Sequence, residues 1–291
     1  IENLERQILS HQHVHLSCFT GDVRDSSRLT RAFEGVQYVI HAAAMKIIGR
    51  CEYDPNEAIK TNILGTMNVA GACLDAGIKR AILVSSDKAS AASNIYGATK
   101  FAAERLWLAS NRYRGPWGGI FVAIRYGNVF SSSGSVIHTL FRQRPTGKFT
   151  ITDRRMTRFH IRIEQAVHAV AWALEHLSPG EMYVPKLPSY SITDLAAAVD
   201  PECEMEFIGR QAGEKLSESL ISEHESPFAV EHNDHYVLTP HQAAQVGGWE
   251  YTSSTNQWRL NREQLREEIK LILSRLDETK QKEPAWASTC L

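Results

Sequence analysis

Short apolar runs alternate with stretches of helical spacing along the first two thirds of the chain. A strand is predicted over 14–19, followed by a turn at Gly21-Asp22-Val23-Arg24-Asp25 and a helix over 26–33 with serine at its start. Residues 38–44 form an apolar run that ends in small side chains, the mark of a buried strand. Between 56 and 76, Ile59, Ile63, Met67 and Cys73 recur at helical spacing, and Gly77 stops the helix. A buried strand over 80–85, a helix over 96–110 and a strand over 120–124 complete the regular part. The pattern then loosens through a serine-rich loop over 131–135, a helix over 164–177 and a last short strand over 182–184. Strands alternating with helices predict an α/β fold, a doubly wound parallel sheet covered on both faces.

Beyond residue 188 the elements become short and polar, and the stretch to 248 reads as a smaller lobe over the sheet edge. Residues 261–276 form an amphipathic helix with Leu265, Ile269, Ile272 and Leu276 on one face. That face is expected to dock on its own chain, a partner surface being the alternative. The tail from Asp277 is polar.

Composition changes this picture little. The chain has 291 residues, 43% hydrophobic and 22% charged, with a formal net charge of −1. This suits one large α/β domain with an added lobe, and it gives no bulk attraction to nucleic acid. No apolar run is long enough to span a bilayer. Cys18, Cys51, Cys73, Cys203 and Cys290 are scattered, as reduced thiols of a cytoplasmic protein would be. The chain starts at Ile1, so targeting information can lie upstream. His11, His13 and His15 share a strand face, but no acidic or cysteine partner is nearby, so an exposed edge is expected and no metal. His160 and His168 read as structural, and Cys73 as core.

The chemistry concentrates after the second of the regular strands. Tyr96 and Lys100, in Tyr96-Gly97-Ala98-Thr99-Lys100, lie one helical turn apart on one face. A phenol is a poor base at neutral pH, and a cation one turn away stabilises its phenolate. The pair suits proton exchange with an alcohol while hydride moves to or from a nicotinamide. By itself the spacing is common, and a solvated tyrosine and lysine would share it. Ser85-Ser86-Asp87-Lys88 follows a strand end, where open α/β sheets bind ligands. An acid and a base side by side suggest water elimination as well as hydride transfer; the bland alternative is a surface turn with a weak ion pair.

The strings Val84-Ser85-Ser86-Asp87-Lys88 and Asn94-Ile95-Tyr96-Gly97-Ala98-Thr99-Lys100 resemble the nucleotide-sugar 4,6-dehydratases among the extended short-chain dehydrogenases/reductases. The likeness is nearest to the branch of inverting UDP-N-acetylglucosamine 4,6-dehydratases of pseudaminic-acid synthesis. Supporting strings are Gly21-Asp22-Val23-Arg24-Asp25, His41-Ala42-Ala43-Ala44, Lys60-Thr61-Asn62-Ile63, Arg125-Tyr126-Gly127-Asn128-Val129, the stretch 153–159 and Gly213-Glu214-Lys215. Together they cover 21–218. A related membrane-bound branch carries methionine at the place of Tyr96, so the tyrosine favours the short soluble branch.

The resemblance implies a Rossmann-type fold, with the nucleotide-binding domain over 1–127 and 157–187. A substrate-binding lobe would take 128–156 and 188–260, and a C-terminal helix and tail 261–291. It implies that Tyr96, helped by Lys100 and Ser86, deprotonates the sugar C4 hydroxyl. Lys88 would then take the C5 proton, and Asp87 would protonate the leaving C6 hydroxyl. Asp22, Val23, Ala42, Ala43, Ala44, Lys46, Asn62, Ser85, Tyr96, Lys100 and Tyr126 are the implied cofactor contacts. Lys46, Asn128, Met156, Arg158, Arg210 and Glu214 are the implied substrate contacts. Arginine suits phosphate because its donors match the oxygens, although Asn128 and Arg158 could equally make structural bonds. The implied cofactor is NADP, with NAD possible; the implied partner is a UDP-sugar, and the implied assembly a homo-oligomer without membrane or nucleic acid.

The chain departs from the pattern in places. No G-x-G-x-x-G lies between a first strand and helix, so a strand, glycine loop, helix and strand of about 40 residues are expected upstream. Without that unit the chain is expected to bind dinucleotide poorly, and the residues that choose between NAD and NADP are absent. Ala91-Ala92 replace Asn-Pro, Gln211-Ala212 replace Arg-Pro with Arg210 shifted by one, and Ser217 replaces a histidine. Two rival readings stay open: an epimerase or reductase of the same superfamily, and a non-catalytic nucleotide-binding module.

Overall fold

The first apolar runs pair side by side. β1 (Tyr38–His41), β2 (Arg80–Val84) and β3 (Ile120–Ile124) are parallel, with Ile40 opposite Ile82 and Ile82 opposite Val122. This is a computed structural model, and it describes residues 16–115, 118–132, 134–239 and 247–282, with side chains of the last helix to 274. The opening segment 1–12, which reads as the end of a helix or a connector, the histidine run, Ser133 and Cys290 lie outside the described residues, as do 14 and 15 of the predicted first strand. Residues 16–19 are not in a strand.

The remaining strands are β4 (Asn128–Val129), β5 (Lys148–Ile151), β6 (Thr157–Ile161), β7 (Met182–Pro185) and β8 (Ser189–Ser191). They continue with β9 (Glu204–Phe207), β10 (Ser219–Ile221), β11 (Ala229–Glu231), β12 (His235–Leu238) and β13 (Tyr251–Thr252). The main sheet runs β1-β2-β3-β7-β12-β11, parallel through β7 and antiparallel beyond it. β7 was expected to be the last strand. The correction is a hairpin from within 188–260, turning at Asn233-Asp234, whose short polar-flanked strands gain their identity from pairing with β7.

Alternate side chains divide between two faces, as a doubly wound sheet requires. Ala81, Leu83 and Phe121 pack with Val69, Cys73, Ala103 and Trp107 on one side. Ile82, Val122 and Ile124 pack with Val170 and Ala173 of helix Ile163–His176 on the other. Trp107, fully buried, donates from Nε1 to the Val122 carbonyl at 2.9 Å and pins helix Ile95–Ala109 to the sheet.

Helix starts and stops follow local chemistry. The first described helix, Ser26–Ala32, is capped by Asp25, which accepts from Arg28 N at 3.0 Å, rather than by the serine expected there. The helix expected over 56–76 is three pieces: Pro55–Ile59, a widened π turn Lys60–Leu64, and Gly65–Asp75. The widened turn swings Asn62 inward, where it is buried. Gly77 ends the run with φ +63°, as expected.

The second cluster gathers Ile137, Leu140, Phe149, Ile151 and Leu195 with Leu265, Ile269 and Ile272 of helix Arg262–Lys282. That helix therefore docks on its own chain. Arg162, preceding Ile163–His176, forks onto Glu268 and ties the two together. Among the described residues no helix is long and apolar enough to cross a membrane.

Candidate active site

Ser85 and Asp87 extend β2 past its end. Their amides donate to the carbonyls of Ile124 at 2.7 Å and Tyr126 at 3.1 Å. The segment then turns, and helix Ile95–Ala109 begins directly against it. A Cβ on Gly97 would lie 2.2 Å from the Lys88 carbonyl oxygen, so only glycine lets the helix approach this closely. Asn94 caps the helix, accepting from Gly97 N at 2.8 Å, and donates to the Gly213 carbonyl at 2.8 Å. These contacts bring Ser86, Asp87, Lys88, Tyr96 and Lys100 to one cavity of about 480 Å³.

Its lining also holds Ala42, Ala44, Lys46, Ser85, Tyr126 and Asn128. Of the sequence-predicted contacts, Asp22, Val23, Ala43, Asn62, Met156, Arg158, Arg210 and Glu214 lie outside that lining. Asp22 is exposed, and its pairing with Arg24 holds its carboxyl at about 2. Val23 packs against Gly65. Asn62 spends its amide on Met45 N (2.8 Å), Met45 O (3.0 Å) and Thr99 Oγ1 (2.9 Å), clamping the 42–47 loop to the catalytic helix. Arg158 donates to the carbonyls of Thr157, Lys215 and Leu216, and Met156 is buried beside it. Arg210 is exposed, and Glu214 accepts from Gln211 N at 3.0 Å.

The electrostatics centre on Asp87. Its Oδ1 accepts from Ser86 Oγ at 2.9 Å and Lys88 Nζ at 3.0 Å, while Oδ2 is buried without a partner. Burial pushes the Asp87 carboxyl up, against the pull of Lys88. Lys88 Nζ also meets Glu218 Oε1 at 3.4 Å. Burial alone would lower the Lys88 amine, but Asp87 and Glu218 outweigh it and raise it. Burial likewise raises the Tyr96 phenol, opposed by Lys88 and by a hydrogen bond with Ser86. Lys100 lines the same cavity as Tyr96 but spends a hydrogen bond on the backbone. Its Nζ donates to the Val84 carbonyl at 2.7 Å, and burial brings the amine down to about 8. Ser86 thus bonds Asp87 and lies beside Tyr96, with Lys88 as the cation that acts on both.

Sequence reasoning missed Glu218, which is 3% exposed, and the Asn62 clamp. It also missed Arg125, fully buried between Glu104 and Glu225. Gly213-Glu214-Lys215 was the one signal near Glu218: Lys215 Nζ donates to the Ser90 carbonyl at 2.8 Å and ties that segment to the catalytic loop. A larger cavity of about 600 Å³ lies beside Phe101, Arg105 and Phe228. The smaller one is the better site. Among the described residues, Ser85 Oγ, Asp87 Oδ2, Asn128 Oδ1 and Ser135 Oγ are buried, unpartnered and borne by its lining residues, whereas the larger cavity is lined by no such residue.

A doubly wound sheet with tyrosine, lysine and serine converging beyond its strand ends defines a short-chain dehydrogenase/reductase-type protein. Within that class the chain belongs to the polysaccharide biosynthesis protein family, whose sequence pattern matches residues 1–240. It is 45% identical over 224 residues to the UDP-N-acetylglucosamine 4,6-dehydratase (inverting) of Campylobacter jejuni, covering 76% of this chain and 67% of that protein. It is 40% identical over 228 residues to the UDP-glucose 4-epimerase of Rickettsia massiliae, covering 77% and 67%. The X-ray structure of Pen from Bacillus thuringiensis superposes with a TM-score of 0.85 at 33% identity, over 92% of this chain and 85% of that one.

Proposed function

We propose that this protein is a nucleotide-sugar 4,6-dehydratase acting on UDP-N-acetylglucosamine, with inversion at C5. The observation that carries the reading is the Asp87–Lys88 ion pair joined to Tyr96 through Ser86. The name and the 45% identity of the Campylobacter jejuni relative support it.

The four unpartnered polar atoms fit a polar ligand such as a nicotinamide dinucleotide, and the small side chains of Ala42 and Ala44 leave it room. Ala42, Ala44, Ser85, Tyr96, Lys100 and Tyr126 would hold it there, with NADP the expected form and NAD the other candidate. When bound it supplies hydride exchange at the sugar. Lys46 and Asn128, both in the lining, are the first candidates for the sugar diphosphate.

Tyr96, as the phenolate that the Lys88 charge favours, receives the C4 hydroxyl proton as the C4 hydride would pass to the bound nicotinamide, and the resulting ketone acidifies the C5 proton. A proton moving along the 3.0 Å bond from Lys88 Nζ to Asp87 turns the resting ion pair into a neutral amine beside a carboxylic acid. One transfer thus makes the base and the acid together. Lys88 then takes the C5 proton, the electron pair forms the C5–C6 double bond, and the C6 hydroxyl leaves as water with the Asp87 proton. The ion pair is restored; the hydride taken from C4 would then return to C6, and a proton delivered to C5 on the opposite face would complete the 4-keto-6-deoxy sugar with that centre inverted. Ser86, touching both, offers the Tyr96 proton a way back to Asp87.

The epimerase reading is favoured by the Rickettsia massiliae relative. Elimination needs an acid and a base that C4 epimerisation does not. The test is incubation of the protein with UDP-N-acetylglucosamine and cofactor, with mass spectrometry and NMR of the product. A 4-keto-6-deoxy sugar is expected, and Lys88→Ala is expected to abolish it. A C4 epimer, formed at much the same rate by Lys88→Ala, establishes the epimerase instead. Exposed Leu64, Met67, Phe101 and Leu106 on the paired helices support homo-oligomeric assembly, and cytoplasmic location follows from the same reading.

A further inference from the structure

We propose that Glu218 is a positioning residue of the acid–base cluster, the second carboxylate that holds Lys88 and fixes its proton affinity; this rests on the dehydratase reading. Glu218 reaches Lys88 from a segment 131 positions beyond Asp87 in the chain. It is 3% exposed, and its Oε1 lies 3.4 Å from Lys88 Nζ and 3.8 Å from Arg158 Nε. Ser253 Oγ accepts from its amide at 3.0 Å and so fixes its backbone. Its second oxygen, Oε2, is buried without a partner among the described residues. A buried carboxylate left half-satisfied is costly unless a cation compensates it, and the cation here is the residue assigned to elimination.

The groups acting on Lys88 come from every neighbouring element. Asp87 and Glu218 are the anions, Arg158 and Lys215 the opposing cations, and Tyr96 and Tyr190 the phenols. Asp87 alone would make a closed pair, in which donating a proton and regaining it are balanced. Glu218 breaks that balance. Once Lys88 has passed its proton to Asp87, the Glu218 charge favours a new ammonium at Nζ, and the source of that proton is the sugar C5. Against burial, Lys88 first and then Arg158, held by three backbone carbonyls, lower the Glu218 carboxyl and keep it ionised.

The experiment is a titration of the Lys88 amine by 15N NMR in the whole protein without substrate, its signal assigned with Lys88→Arg. In the wild type the ammonium is expected to persist above the ordinary lysine value of about 10.4. Glu218→Gln, which keeps the shape and removes the charge, is expected to lower the midpoint by about one unit or more. Glu218→Asp should restore part of the difference. The alkaline limb of kcat/KM should move down in Glu218→Gln by a similar amount, which a merely structural residue would not do. An unchanged midpoint in Glu218→Gln overturns the proposal. If that variant does not fold, a wild-type midpoint at or below the ordinary value overturns it equally. Absence of a 4-keto-6-deoxy product from the wild type defeats the functional reading and leaves the titration standing. Product formation with an unshifted Lys88 defeats only this inference.

Discussion

Replacing Arg125 with methionine should destabilise the protein by about 3–5 kcal/mol at neutral pH, because it leaves buried Glu104 without its cation and Glu225 with only the exposed Arg105, 3.2 Å away. Arg125 is fully buried at the end of β3, and Glu104 is as deeply buried. Arg125 Nε and Nη2 donate to Glu104 at 3.1 and 2.6 Å, and Nη1 and Nη2 to Glu225 at 2.9 Å each. Burial alone would raise the Glu225 carboxyl, but the guanidinium and the Ser222 donors bring it from 4.5 to about 2. That drop corresponds to about 3 kcal/mol, in line with the first figure. Because the folded value is depressed, this stability is present above the unfolded value of 4.5 and is lost as pH falls toward about 2.

In Arg125→Met the sign turns over. Without that cation, burial is less opposed at Glu225 and its carboxyl rises, so the folded protein takes up a proton there on acidification and part of the penalty disappears. The gap between wild type and variant should therefore narrow as pH falls from 7 toward 4. Urea denaturation followed by circular dichroism across that range measures the gap directly. Adding Glu104→Gln and Glu225→Gln to Arg125→Met should recover much of the loss, since orphaned charge, more than lost packing, is the cost. A loss under about 1 kcal/mol, or a gap independent of pH, would refute the reasoning.

Two further substitutions probe how the site is held. Gly97→Ala puts a Cβ against the Lys88 carbonyl oxygen, a backbone atom that cannot swing away. It should cost about 1–3 kcal/mol and reduce turnover further by displacing Asp87 and Lys88; full activity with an unshifted melting temperature would contradict the close approach. Asn62→Ala leaves both polar groups of the Met45 backbone without their partner. It should cost about 1–3 kcal/mol, speed amide exchange at Met45 and weaken cofactor retention, and wild-type exchange at Met45 would show the clamp to be dispensable.

The contrast between what was legible and what was not has a physical origin. Residues 80–84 and 120–124 are readable as strands because burial on both faces demands an unbroken apolar run, which any short window detects. Tyr96 and Lys100 are readable as a pair because helical spacing alone puts them on one face. The target of Lys100 is not readable, since the Val84 carbonyl becomes its partner only when β2 and the helix pack. The same limit hid the widened turn at Lys60–Leu64, whose cause, the bonds from Asn62 to Met45 and Thr99, spans 17 and 37 positions.

Charged residues show the limit most sharply. A local window assigns Glu104, Arg125, Glu218 and Glu225 to the surface, where isolated charges belong. All four are buried here, and each is tolerated because of a partner at least 21 positions away, 100 positions in the case of Arg125 and Glu225. Neutralisation at such distances is a property of the assembled fold. Through Glu225 on Arg105, Lys215 on Ser90 and Glu218 on Lys88, the segment 215–225 supplies charge to helix Ile95–Ala109 and to the loop before it at three points. Glu218 meets Lys88 only when that segment is seated, so the seating of 215–225 and the proton affinity of Lys88 are linked.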